Sequence, residues 1–116
     1  RDKHSPLRDV AGMLRSFDYA VRMALSEQDT RDLRVKASLE GWADSWLRMV
    51  RGLFLEGYRE GAAGAAFLPD DPETLRRVLA VFELEKAVYE LGYEMNNRPA
   101  WIWVPIRGIR TLLEGA

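Results

Sequence analysis

Residues 72–99 constrain the fold more than any other stretch. They read as one long helix, opened by Asp71-Pro72 and closed by Asn96-Asn97-Arg98-Pro99. Aspartate can cap the free amides of a first turn, and proline at the first helical position gives up no hydrogen bond. Pro99 forbids continuation, and the two asparagines before it suit the left-handed conformation that ends helices. At about 100° per residue, Leu75, Val78, Leu79, Phe82, Tyr89 and Tyr93 share one face, and Ala80, Val81, Leu84, Val88, Leu91 and Met95 share the opposite one. A helix apolar on two sides is expected to lie between others. Between the faces runs a wedge of Arg76, Glu83, Glu90 and Glu94, with Lys86 beside the aromatic face.

Two further helices precede it. Ser5-Pro6 repeats the cap-plus-proline signal, and Leu7, Val10, Leu14, Phe17, Val21 and Ala24 follow at spacings of three and four as far as Ser26. Asp29-Thr30 is the next cap candidate, followed by a helical pattern from Leu33 to Tyr58 that weakens at Gly57, Gly61 and Gly64. Leu68-Pro69-Asp70-Asp71-Pro72 reads as a turn. After Pro99, Trp101-Ile102-Trp103-Val104 is expected to form an extended or single-turn connector that buries both tryptophans. A short helix, 106–114, should follow Pro105 and stop at Gly115. The fold class predicted is all-α: a bundle of three long helices and one short C-terminal helix, forming a single subdomain over residues 1–116.

Composition narrows the chemistry. Seventeen basic and 18 acidic side chains leave a net charge of −1, so electrostatics give no reason to expect nucleic acid or an anionic membrane as a partner. There are no cysteines and one histidine, His4, which leaves no disulfide, thiolate nucleophile or His/Cys metal set. No apolar run approaches the roughly 18 residues a membrane span needs, and no signal-peptide pattern is present, so the expected compartment is the cytoplasm. The opening Arg-Asp-Lys-His-Ser-Pro reads like a linker entering a helix, the pattern expected of a piece of a longer protein.

No nucleophile–base pair, phosphate loop or catalytic carboxylate pair appears, so no catalytic or metal-binding residue is assigned. The wedge on the third helix has three readings: a solvated flank with pairs such as Lys86–Glu90, a buried ion-pair network, or the wall of a ligand pocket. Carboxylates beside Tyr89 and Tyr93 suit a polyhydroxylated ligand, because carboxylates accept hydroxyl hydrogen bonds and aromatic rings pack on apolar ring faces. Asp9 suits the N-terminal dipole of its helix. Trp42, Trp46, Trp101 and Trp103 read as core or subunit-contact residues, and Arg107 and Arg110 as a solvated face.

Three segments together resemble one family. They are residues 5–20 (SPLRDVAGMLRSFDYA), residues 82–94 (FELEKAVYELGYE), and Asn96-Asn97-Arg98-Pro99 running into Val104-Pro105-Ile106-Arg107-Gly108-Ile109. This pattern is similar to the C-terminal end of bacterial maltokinases, including those fused to trehalose synthase. The resemblance implies a kinase-like fold akin to aminoglycoside phosphotransferases, which passes the ATP γ-phosphate to maltose with magnesium and gives maltose 1-phosphate on the way to glycogen-like glucans. The family's nucleotide lobe and its His-Gly-Asp loop have no counterpart in these residues, so the chain alone is expected to be inactive and to hold no cofactor; ATP and magnesium belong to the parent enzyme. The resemblance further implies that Asp9 braces the catalytic loop, and that Glu90, Tyr93, Glu94, Asn97 and Arg98 wall the acceptor-sugar pocket. Implied partners are maltose or a similar sugar, the remaining kinase lobes and a fused trehalose synthase domain. Two alternatives stand beside it: a helical interaction module that self-associates, including as a homodimer, and a kinase-like parent with another acceptor.

Overall fold

A computed structural model describes residues 5–27 and 31–115, and all of their regular structure is helical. The order is α1 (Pro6–Ser26), α2 (Leu33–Gly61), α3 (Pro72–Asn97), a 3-10 turn (Pro99–Trp101) and α4 (Trp103–Glu114). The expected all-α bundle of three long helices and one short one is what forms.

The caps follow the sequence signals where these are described. The Ser5 hydroxyl accepts from the Leu7 amide, and the Asp71 carboxylate accepts from the amide and hydroxyl of Thr74. Asp32 caps α2 by accepting from the Arg34 amide; the expected Asp29-Thr30 cap lies outside the described residues. Gly64 carries the one positive φ among the described residues, 85°, in the turn after α2, a conformation that glycine adopts without cost.

Two details depart from expectation. No asparagine turns left-handed: α3 runs through Asn97, and Arg98 leaves the helix at φ −142°, ψ 71°, outside the α region that proline disfavours for the residue before it. The segment after Pro99 is a single helical turn, as one of the two expected forms, but α4 already begins at Trp103, and Pro105 sits inside its first turn, where a missing amide costs nothing. Trp101 and Trp103 stack, with ring centres 6.0 Å apart, and neither is buried: Trp103 remains exposed.

The principal core joins Leu7, Val10, Ala11 and Leu14 of α1 to Leu75 and Leu79 of α3, with Phe54, Leu55 and Tyr58 of α2 packed against it. A smaller cluster joins Val21 to Ala43 and Leu47, and Phe17 meets Phe54 edge-to-face at 5.5 Å. The α1 and α3 helices run parallel, since their partners advance together: Arg8 with Glu85, Arg15 with Glu90, Tyr19 with Glu94.

The two-faced burial expected of α3 does not occur. Val81, Val88, Tyr89, Tyr93 and Met95 are exposed, while Glu83 and Glu94 are buried. Its fully buried apolar residues are Leu75 and Leu79 in the N-terminal half and only the small Ala87 beyond them. Its C-terminal half turns the carboxylate wedge inward, because the part of α1 it meets carries Arg15, Asp18, Tyr19 and Arg22 rather than apolar side chains.

Candidate functional site

The wedge is a buried ion-pair network. Arg15, only 4% exposed, donates through Nε to Glu90 Oε1 at 2.9 Å and through Nη1 to Asp18 Oδ2 at 2.8 Å. Arg22, equally buried, donates through Nη2 to Asp44 Oδ1 of α2 at 2.7 Å and through Nε to Asp18 at 3.4 Å. Asp44 also lies 3.7 Å from Arg107 of α4. One turn further along α3, Glu94 (1% exposed) takes a two-pronged contact from Arg98, both bonds 2.8 Å, and accepts the Tyr19 hydroxyl at 2.8 Å. On the other side Glu83 receives a similar fork from Arg51 of α2, at 2.6 and 3.0 Å. Arg76, grouped with this wedge by angle, instead sits in solvent and pairs with Glu73. Lys86 does not pair with Glu90 but lies 5.2 Å from the Tyr89 ring centre.

Buried ion pairs return little net stability once desolvation is counted, but a missing partner is costly, so they fix which helices meet and at what register. The closest fit is at Gly108: a side-chain carbon there would lie 2.4 Å from Arg15 Nη1. Only glycine lets α4 rest on the Arg15 guanidinium.

The environment splits the carboxyls. Arg98 holds Glu94 below the usual glutamate range, with Tyr19 adding to the effect. Burial pushes Glu90 upward, against the opposing pull of Arg15. The Tyr19 hydroxyl is raised by burial and by the carboxylate it donates to.

The residues expected to wall a pocket separate into two groups. Tyr93, Glu94 and Arg98 converge, and Trp101 joins them: the Arg98 guanidinium lies 6.0 Å from the Tyr93 ring centre and 5.8 Å from that of Trp101. Tyr93 is 49% exposed there and Tyr89, one turn back, 66%. Glu90 instead faces Arg15, and Asn97 donates through Nδ2 to the Tyr93 carbonyl at 2.9 Å, within its own helix. Asp9 stands ten residues before Tyr19 on α1, about 15 Å away along the axis, where its charge raises Tyr58 beyond what burial does. The chemistry this surface offers is therefore aromatic faces and an arginine edge; the Glu94 oxygens are already engaged.

Two cavities are described. One of about 380 Å³ lies among Arg22, Leu39, Trp103 and Arg107, and an open groove of about 1010 Å³ runs between α2 and the α3–α4 pair. Neither is lined by the Tyr93–Arg98 surface. Among the described residues no acidic or histidine cluster could hold a metal ion, and no helix is long and apolar enough to cross a membrane.

Arg15, Asp18, Tyr19, Arg22 and Gly108 were not singled out from sequence. Their signal is there: the polar positions 15, 18, 19 and 22 repeat at helical spacing, as do the carboxylates at 83, 90 and 94. No protein-family model matches the chain.

Proposed function

We propose that the chain serves as the C-terminal helical subdomain of a maltokinase-like enzyme that phosphorylates maltose with ATP, acting as scaffold and as one wall of the acceptor-sugar pocket. One observation carries the reading. Side chains from all three segments that bear the resemblance take part in the ion-pair network: Arg15, Asp18 and Tyr19 from the first, Glu90 and Glu94 from the second, Arg98 from the third, with Gly108 of the third packed on Arg15.

In this reading the carboxylates do not touch sugar. Glu94 orients Arg98, and Arg98 lies beside Tyr93 and Trp101, so the wall is aromatic with a guanidinium donor at its edge. Aromatic faces pack on the C–H faces of a pyranose, and guanidinium N–H groups donate to its hydroxyls. Glu90 and Arg15 hold the helix beneath. ATP, magnesium and the reacting groups belong to other parts of the parent enzyme, and Asp9, near the start of α1, is the residue that would brace the catalytic loop.

The test is the complete enzyme incubated with ATP, magnesium and maltose, with products followed by phosphorus NMR. Maltose 1-phosphate is the expected product. Turnover of a different acceptor with maltose left untouched would overturn the assignment.

A further inference from the structure

The end of α1, the start of α2 and the start of α4 surround the cavity of about 380 Å³. Its wall carries three cations, Arg22, Lys36 and Arg107, and one carboxylate, Glu40. Arg22 is 5% exposed. Its Nη2 donates to Asp44 and its Nε to Asp18, but its Nη1 is buried with no hydrogen-bond partner among the described residues. A buried guanidinium donor left unpaired is costly, because burial removes its water and returns nothing. Arg107 is short of a partner too: the Asp44 carboxylate beside it lies 3.7 Å away and is already bonded to Arg22. Asp18 is bonded to Arg15 as well. Set against Glu40 and Asp44, the three cations of the wall leave one positive charge unmatched. Leu25, Leu39 and Trp103 supply the apolar part of the wall.

We infer that this cavity binds a small carboxylate with an apolar, ring-sized body, its charge held against the guanidinium groups of Arg22 and Arg107 and its body lying between Leu39 and Trp103. The site shares no residue with the Tyr93–Arg98 surface and stands whether or not the parent is a sugar kinase. The volume falls within the roughly 300–1,000 Å³ of small-molecule sites. Guanidinium donors bond a carboxylate through charge-assisted hydrogen bonds, the strongest kind available to an unpaired Nη. One unmatched charge suits a monoanion, and Glu40 on the same wall opposes a second negative charge. An indole face with two leucines asks for an apolar ring rather than a second polar group.

The test is titration of the purified 116-residue chain with cinnamate, and with its neutral amide, followed by calorimetry and by the indole N–H resonances of the tryptophans. Cinnamate should bind and move the Trp103 resonance, identified by its loss in Trp103→Phe. The amide has the same shape without the charge and should bind about tenfold or more weakly. Arg107→Gln should weaken cinnamate by about tenfold or more. Arg22→Gln should abolish saturable binding, read beside its circular dichroism spectrum because Arg22 also holds Asp44; should that variant not fold, Arg107→Gln tests the same claim from outside the hydrogen-bonded network. Tyr93→Ala should bind cinnamate as the wild type does, and inorganic phosphate, which offers no apolar body, should leave bound cinnamate in place. No binding of cinnamate, equal binding of its amide, displacement by phosphate, or an Arg107→Gln protein that binds as well as the wild type would each overturn the proposal.

Discussion

Replacing Gly108 with alanine should destabilise the protein, although the same change in an exposed helix normally stabilises it. An added Cβ would lie 2.4 Å from Arg15 Nη1, 2.9 Å from its Cζ and 3.0 Å from its Nη2, all well inside van der Waals contact. The guanidinium cannot retreat freely. It is buried, and Asp18 and Glu90 hold it at 2.8 and 2.9 Å. Either α4 lifts, at an overpacking cost of about 2–3 kcal/mol, or Arg15 abandons a buried partner, which costs about 3. Helix propensity returns about 1 kcal/mol for losing a glycine. The net loss is therefore about 1–2 kcal/mol. Gly41→Ala and Gly92→Ala are the controls: both positions are helical with nothing within 4 Å of the new carbon, and each should gain about 0.5–1 kcal/mol. Urea unfolding followed by circular dichroism measures all three. Adding Arg15→Ala should reveal a coupling of at least about 1 kcal/mol with position 108. A Gly108→Ala protein as stable as the controls would refute the packing of α4 on Arg15.

Two further outcomes follow from the same network. Arg51→Ala strands the buried Glu83 carboxylate and should cost about 2 kcal/mol in urea unfolding, the partial exposure of Arg51 holding the figure below that of a fully buried pair; adding Glu83→Leu should recover most of it. The pH dependence separates the other two carboxyls. Glu94 titrates below its unfolded value, so its contribution is present above the ordinary glutamate range and disappears as the pH falls through its folded pKa; Glu90 titrates above its unfolded value, so its contribution is present below that range and disappears as the pH rises through its folded pKa. Stability measured against pH should therefore show a shallower acid loss in Glu94→Gln and a steeper one in Glu90→Gln.

Much of the fold was legible because its signals are local. Ser5-Pro6, Asp71-Pro72 and Pro99 mark helix ends through groups that cap or lack an amide, whatever the tertiary structure. What hid was pairwise. Glu90 and Glu94 look like a solvated flank until Arg15, Tyr19 and Arg98 are placed against them, and hydrophobic periodicity treats all of these as outward-facing. Weighting Tyr89, Tyr93 and Met95 as core rested on their apolar character, yet the helices that would cover them are not there. Helical spacing put carboxylates beside Tyr89 and Tyr93, and the family resemblance added Arg98 to Tyr93 and Glu94. Trp101 joined them only through the turn that Pro99 forces, and Gly108 acquired meaning only from the approach of α4.

The most direct test of the pocket wall is calorimetric titration of maltose into the complete enzyme and into its Tyr93→Ala and Val81→Ala variants. Both side chains are exposed on α3, and only Tyr93 lies beside Arg98 and Trp101. Tyr93→Ala should weaken maltose binding by about tenfold or more, ~1.4 kcal/mol, while Val81→Ala binds as the wild type does. Equal affinity in all three proteins would contradict a sugar wall at the end of this helix.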